Sequence, residues 1–412
     1  MTDATLGRTA RRLPSLSLDR VQAACVWLMM VSSFFVIFEP APVDLMFAIT
    51  FVMFLGGGLR VAALAAPMIL YLLLYNIGGL TSLISVWGAE KALMFVITSV
   101  YMAVSAVFCS FYVFTDTERR MAVFKNGYII GAVIASVIAL IGYFDIGGLG
   151  HILSPIQRAQ GTFKDPNVLS TYLILPAIFL TQDVMLGTRG RTFLRYCGLL
   201  VILAALFLAF SRGAWINFAG AATLMVMLTF TLTPSPQLRS RILLLAIAGV
   251  VVMAILLMGL LSIESVRSLF LDRLTLEKSY DAGEFGRFGN QVNSIPLLFE
   301  RPLGFGPNQF GFIFGLAPHN VFLNAFASYG WLGGISYLLL VVSTIIVGFR
   351  AVLIRAPWQG AAIAVFCPFL STALQGVQID TDHWRHFYWM LGLMWGIYAA
   401  SAAYQQRVAA GR

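Results

Sequence analysis

Long runs of apolar residues, separated by short polar segments, dominate the chain. A helix needs about 20 apolar residues to cross a bilayer, so each run is interpreted as a membrane-spanning helix. The predicted spans are 21–38, 43–59, 61–86, 92–114, 126–146, 168–187, 192–210, 213–233, 241–262, 318–347, 361–377 and 386–404. The pattern predicts an all-α polytopic membrane protein of about twelve transmembrane helices, with residues 1–412 forming a single transmembrane domain.

Composition agrees with this fold class. Hydrophobic residues make up 59% of the chain and charged residues 11%, against about 25% charged in a soluble domain. This excludes a soluble globular protein, and the abundance of apolar side chains excludes disorder. The N-terminus carries four arginines before the first apolar run, without a small-residue cleavage site after it, which predicts an uncleaved first helix. The four cysteines fall in separate apolar runs without metal-ligand spacing.

The basic residues collect in alternate connections. Placing both termini in the cytoplasm puts 17 of the 27 Lys and Arg residues on that side, which is the positive-inside pattern. The net charge of +9 is therefore spread over many connections as a topology signal, and nucleic-acid binding is excluded. With this orientation the longest connection, 263–317 between the ninth and tenth spans, is a large periplasmic loop.

The start of this loop repeats apolar residues at helical spacing, at Val266, Leu269, Phe270 and Leu274. Arg267, Arg273 and Lys278 lie off that stripe. The spacing predicts short amphipathic helices within 263–317, the first lying on the outer leaflet.

Several outer connections carry basic residues that orientation does not require. Arg158 and Lys164 flank Gly161 ahead of Asp165-Pro166-Asn167, where an aspartate or asparagine is a plausible helix N-cap. Arg212 lies in the turn AFSRGAWI, where it binds an anion or merely anchors a helix end at the interface. A guanidinium suits phosphate or carboxylate, so we expect an anionic ligand at this face.

Arg287 and His319 complete the set of candidates. Arg287 stands between Gly286 and Gly289, in a loop whose further glycines and prolines enforce tight turns. His319 and Asn320 are placed in the first turn of the tenth span. A lone interfacial histidine is usually structural, but beside several arginines His319 is a reasonable proton acceptor because positive neighbours disfavour its protonation.

The segments RAQGTFKDPN, FSRGAW, GRFGN, RPLGFGPNQF and HN followed after nine residues by GWLG, in this order, resemble the O-antigen ligase and O-antigen polymerase superfamily of bacterial membrane glycosyltransferases. The resemblance covers residues 158–333 in pieces. The twelve-span layout and the large outer loop agree with it. The spacing between His319 and the GWLG segment is similar to the histidine motif of the ligases.

The resemblance implies an enzyme of the bacterial inner membrane that takes a glycan from undecaprenyl pyrophosphate at the periplasmic face. The acceptor is a sugar hydroxyl of the lipid A core or of a growing lipid-linked glycan, so the product belongs to lipopolysaccharide or exopolysaccharide biosynthesis. Family members are thought to need no metal or other cofactor. His319 and Arg287 are then catalytic, and the substrate-binding residues are Arg158, Arg212, Lys164 and Asn320. A single displacement inverts the anomeric carbon.

Three alternatives stay open. The histidine spacing favours a ligase over a polymerase of the same superfamily. A metal-dependent polyprenyl-sugar transferase would have only Glu39 and Asp44 as its acidic pair, in a tight turn. A lipid-linked glycan transporter would be expected to carry charges near the membrane midplane, whereas these apolar runs are nearly free of charge.

Overall fold

The computed structural model describes residues 17–187, 192–274 and 286–411, and the side chains of Thr192 and of residues 272–274 fall outside that description. Within these ranges the regular structure is helical throughout. The predicted topology signals Arg8, Arg11, Arg12, Arg189, Arg191 and Arg412, and Lys278 of the predicted amphipathic helix, lie outside the described residues.

The helices follow one another with short connections. The α-helices are α1 Leu18–Ser32, α2 Pro42–Leu55, α3 Ala66–Ser82, α4 Glu90–Thr115, α5 Thr117–Tyr143, α6 Gly150–Leu153, α7 Pro166–Tyr172, α8 Ile174–Leu186, α9 Thr192–Leu208, α10 Arg212–Leu232, α11 Pro236–Leu261, α12 Glu264–Leu274, α13 Arg287–Phe299, α14 Phe310–Phe314, α15 Val321–Leu353, α16 Gln359–Gln375 and α17 Arg385–Ala409. Short 3-10 turns at Ala63–Ala65 and Leu83–Val86 extend α3 at both ends.

Seven helical segments of the described chain are long and apolar enough to cross a membrane. They are Ala63–Val86, Glu90–Thr115, Thr117–Tyr143, Pro166–Leu186, Arg212–Leu232, Pro236–Leu261 and Val321–Leu353. Each of the twelve predicted runs overlaps helix. Pro42–Leu55, Phe193–Leu208 and Gln359–Gln375 are shorter apolar helices, and α1 and α17, which match the runs 21–38 and 386–404, are not among the seven, so twelve spans stay a prediction. The protein is therefore a helical membrane protein by the length and composition of its helices.

Small residues allow the central helices to approach closely. On α3, Gly78 lies against the backbone of Tyr329 and Gly333 on α15. On α17, Gly392 lies against the Ala106 carbonyl of α4. Such contacts bring backbones together where lipid supplies no hydrophobic driving force. At the periphery, α11 has a single buried residue, Ile242, as expected of a helix surrounded by lipid.

Side chains and backbone groups join connections at two ends of the bundle. At the end we call the His319 end, Thr162 bonds to Phe34, Ser82 to Leu303, and the backbone of His319 to Asp380. At the opposite end, Arg120 bonds to Gly58, Arg241 to Val184, and Gln182 to Gly360. All the predicted site residues lie in connections or first helical residues at the His319 end.

Two local predictions are corrected by the structure, and a third is refined. The predicted run 168–187 matches the spanning segment Pro166–Leu186, which is interrupted at Leu173 where α7 and α8 meet. The apolar stripe of α12 packs on the protein instead of lying on lipid: Val266 is buried, and the Phe270 ring lies 5.6 Å from Trp215 and 5.7 Å from Phe207. Aromatic surface on the α9–α10 hairpin thus provides a protein partner for the stripe.

The second correction concerns α15. This helix begins at Val321, two residues beyond His319, because the side-chain oxygen of Asn320 accepts the N–H groups of Phe322 and Leu323 and caps it. Within α15, Gly330 has a φ of 65°, a left-handed conformation that favours glycine. There the backbone of Trp331 bonds to Pro302, so the segment after α13 packs into this break.

Candidate functional site

Arg287 and His319 lie in direct contact at the His319 end. The sequence pattern predicted an irregular loop around Arg287, but in the structure this residue is the first of α13. Its Nη2 donates to the carbonyl oxygens of His319 at 3.2 Å and of Gln378 at 2.5 Å. His319 is exposed and precedes the helix cap with a φ of 47°, so it is not in the first turn of α15. Residues 32 positions apart in sequence thus meet at one point.

A carboxylate that sequence reasoning missed holds the backbone of this histidine. Asp380, in the connection between α16 and α17, accepts the backbone N–H groups of His319 and Asn320, each at 3.1 Å. Its Oδ2 also lies 3.8 Å from Nδ1 of His319. The segment QIDTDH between the last two predicted spans carried the signal, since two acids and a histidine in so short an outer connection are unusual in this chain.

Burial raises the pKa of Asp380 to about 7, with repulsion from Asp382 adding to it, while the two backbone N–H groups and Arg287 oppose the rise. The neighbouring Asp382 is 2% exposed and accepts a hydrogen bond from Asn324 at 3.2 Å. His383 places Nδ1 3.0 Å from Asp382 and Nε2 3.0 Å from the Phe95 carbonyl. Both ring nitrogens therefore face acceptors, which favours the doubly protonated imidazolium.

Burial opposes the charged form of His383, but Asp382 and the hydrogen bonds of the ring outweigh it and raise the pKa of His383. The resulting ion pair fixes the connection that presents Asp380. The α16–α17 connection therefore contains a buried ion pair, and its Asp380 carboxylate accepts the backbone N–H of His319.

Arg158 and Arg212 belong to a neighbouring part of the same end. The Arg158 side chain is 7% exposed, with Nε donating to the Ala209 carbonyl at 2.7 Å and Nη2 to Oδ1 of Asn167 at 2.9 Å. Arg212, predicted to lie in a turn, is the first residue of α10, with Ser211 as N-cap. Asp165 caps α7 through the N–H of Asn167 at 2.6 Å, as one of the two predicted alternatives stated.

The α10 segment that begins with Arg212 connects to the histidine site through α16. A Cβ on Gly213, the residue after Arg212, would lie 2.9 Å from the Gln375 amide nitrogen. Gln375 is three residues before Gln378, whose carbonyl accepts from Arg287. The start of α10 therefore packs against the end of α16, and the connection that follows α16 contacts Arg287.

The remaining candidates have structural partners. Lys164 forms an exposed ion pair with Glu39 at 2.8 Å. Asn320 uses its side-chain oxygen as the α15 cap. Asp44 receives two hydrogen bonds from Arg385, both at 2.7 Å. The acidic pair of the metal-dependent alternative is therefore bound by two different cations.

No three His, Cys, Asp or Glu side chains in the described parts of the chain are grouped closely enough to hold a metal ion. A cavity of about 850 Å³ opens beside the Arg158 segment, between the end of α5 and α12. Its polar lining includes Asp145, His151, Ser154, Gln157, Ser265 and Ser268. Hydrogen-bonding groups, one of them a carboxylate, therefore adjoin the Arg158 segment.

Comparison with known proteins adds no relative: no protein-family model matches the chain, and no curated protein matches it.

Proposed function

We propose that the protein is an inverting membrane glycosyltransferase that transfers a glycan from undecaprenyl pyrophosphate to an acceptor sugar hydroxyl. The proposed acceptor is the lipid A core, as in O-antigen ligases, and the reaction takes place at the periplasmic face of the bacterial inner membrane. The observation that carries the proposal is the convergence of the Arg287 guanidinium and the Asp380 carboxylate on the backbone of His319. A cation and a histidine are what a pyrophosphate leaving group and a hydroxyl nucleophile require.

His319 is the proposed general base. Its Nδ1 faces Asp380 at 3.8 Å, and a carboxylate on that side favours the tautomer with the proton on Nδ1. Nε2 is then the nitrogen that takes the proton from the acceptor hydroxyl. The hydroxyl oxygen bonds to the anomeric carbon as the bond from that carbon to the pyrophosphate oxygen breaks. Attack opposite the leaving group inverts the configuration.

The arginines are the proposed binding groups for the leaving group. Arg287 adjoins His319 directly, Arg212 is the first residue of α10, and Arg158 bonds to the Ala209 carbonyl in the α9–α10 connection. Guanidinium groups stabilise the charge that develops on a departing pyrophosphate without a metal ion. The proposed topology, with twelve spans, both termini in the cytoplasm and 263–317 in the periplasm, places all of them on the donor side.

Transfer by the purified protein tests the proposal. Detergent-solubilised protein is mixed with isotope-labelled undecaprenyl-pyrophosphate-linked glycan, with and without EDTA, and with either lipid A core or a second lipid-linked glycan as acceptor. Labelled lipid A core supports a ligase, whereas a lengthened lipid-linked glycan supports a polymerase. If the protein transfers glycan to neither acceptor but moves the donor across a liposome membrane, the result would support a transporter and contradict the proposed enzyme.

Replacing His319 tests the assigned role. His319→Ala and His319→Asn should slow transfer by about 10²- to 10⁴-fold, the usual contribution of a positioned proton-transfer group. His151→Ala is the matched control, because His151 is also exposed at this end and bonds only to the nearby Gly148 carbonyl at 2.8 Å. Normal turnover by the His319 variants would leave the residue a structural role only.

A further inference from the structure

The opposite end of the bundle contains a partly open cavity of about 410 Å³ that the proposed function does not use. It lies between the start of α1, the connection after α2, and the α4–α5 hairpin. Five charged side chains line it: Asp19, Arg60, Asp116, Arg119 and Arg120. Three guanidinium groups and two carboxylates therefore surround one space at the end of apolar helices.

Arg120 forms the inner wall of this cavity and is held rigidly. Its Nη1 donates to the Tyr112 carbonyl at 2.9 Å and its Nη2 to the Gly58 carbonyl at 2.6 Å. The guanidinium lies over two rings, 5.0 Å from the centroid of Tyr112 and 5.4 Å from that of Phe54. A half-buried cation fixed in this way is pre-organised to meet an anion.

The charges around the cavity do not neutralise one another by contact. Asp19, Asp116 and Arg119 are near enough to act electrostatically on Arg120. None of the five side chains, all of them described, forms an ion pair within 4.0 Å. Asp116 is the N-cap of α5, yet its carboxylate makes no capping hydrogen bond. Positive-inside orientation explains cations at this end, but it does not require two carboxylates in the same cavity.

Apolar surface begins at the mouth of the cavity. Leu55 and Val61 adjoin the lining residues Phe54 and Arg60 in sequence, and they are 69% and 72% exposed. Leu55 ends the apolar helix α2, and Val61 precedes the spanning segment Ala63–Val86. Exposed apolar side chains at these positions face acyl chains, so the charged cavity lies at the depth of lipid headgroups. A ligand with an anionic group, a cationic group and an apolar tail would match the arginines, the carboxylates and the exposed apolar side chains.

We propose that this cavity binds the phosphoethanolamine headgroup of a phospholipid. The arginines hold the phosphate, and Asp19 and Asp116 accept hydrogen bonds from the primary ammonium. A phosphatidylglycerol headgroup offers no cation to the carboxylates. A phosphatidylcholine headgroup offers a trimethylated ammonium that cannot donate a hydrogen bond. The cavity should therefore distinguish among three common headgroups.

Native mass spectrometry of the detergent-solubilised full chain, titrated with the three lipids carrying identical acyl chains, tests the proposal. Phosphatidylethanolamine should bind about tenfold more tightly than either other lipid, the size of one charge-assisted hydrogen bond. Asp116→Asn should weaken phosphatidylethanolamine by about tenfold and strengthen phosphatidylglycerol, whereas Arg119→Ala should weaken both. Soluble O-phosphoethanolamine distinguishes a lipid ligand from a soluble one. Stronger binding of this probe than of the lipid would make the ligand a small metabolite and overturn the lipid proposal.

Glu118→Gln is the matched control, since Glu118 is an exposed acid two residues from Asp116 that does not line the cavity. It should leave all three affinities unchanged. Asp19→Asn provides a second test if Asp116→Asn fails to give a single thermal unfolding transition. Equal or tighter binding of phosphatidylglycerol by the unmodified protein would overturn the proposal. Identical behaviour of Glu118→Gln and Asp116→Asn would also overturn it, and neither result bears on glycan transfer.

Discussion

Asp380→Asn is expected to slow glycan transfer by displacing His319. The Asp380 carboxylate accepts the backbone N–H groups of His319 and Asn320, each at 3.1 Å, and faces Nδ1 of His319 at 3.8 Å. An asparagine of the same shape keeps one oxygen acceptor and turns an NH2 group toward a backbone N–H. One hydrogen bond is then lost and two donors face each other.

The magnitude follows from these contacts. A hydrogen bond to a charged group contributes roughly 1.5–3 kcal/mol, and we take about 2 kcal/mol for the bond that the amide cannot make. At 1.36 kcal/mol per tenfold in rate, kcat should fall about 30-fold. The KM for the lipid-linked donor should change little, because the role assigned to Asp380 is to position His319 and not to bind the donor.

The assay is steady-state transfer of labelled glycan at several pH values. Since burial and Asp382 raise the pKa of Asp380 to about 7, activity should rise through that pH as the carboxylate ionises, and the variant should lose this step. Asp145→Asn is the control, because Asp145 accepts one backbone N–H, that of Gly150 at 2.8 Å, in another connection at the same end.

A double variant decides whether Asp380 acts through His319. If it does, Asp380→Asn should cause little further loss in a His319→Ala background, since coupled residues are not additive. A further 30-fold loss in that background, or an Asp380→Asn enzyme within about twofold of normal kcat, would refute the positioning role.

Four further outcomes are expected. In cells, cysteines at Arg120 and Arg287 should be labelled from opposite sides of the membrane; labelling from one side would contradict the proposed topology. Arg287→Lys should transfer poorly, because a lysine cannot reproduce the planar guanidinium that reaches two carbonyls, and normal kcat would exclude this role. Gly392→Ala should lower the apparent Tm by several degrees because a Cβ would overlap the backbone of α4, whereas Gly249→Ala, with nothing within 4 Å, should not. The raised pKa of Asp380 means that the folded protein retains a proton that the unfolded chain loses above its ordinary pKa of 3.8. Apparent Tm should therefore fall as pH rises from about 5 to about 8, and Asp380→Asn should flatten that slope.

The positions of the helices could be predicted from the sequence because a bilayer selects for long apolar runs, and that pattern is local. The predicted run 92–114 corresponds to α4, Glu90–Thr115, and the run 213–233 to α10, Arg212–Leu232. Through a resemblance of short motifs, the sequence also predicts that Arg158, Arg212, Arg287 and His319 form one site.

The contact between Arg287 and His319 was decided by tertiary structure alone. Nothing in the spacing of Arg287 and Asp380 shows that both reach the backbone of His319, because the three residues come from separate segments that only helix packing brings together. The structure likewise places His319 before the helix and not in its first turn, because the Asn320 side chain caps α15 by accepting its first free N–H groups. Composition and periodicity record which segments enter the membrane; they do not record which polar groups meet at its surface, because those contacts depend on distances between segments far apart in the chain.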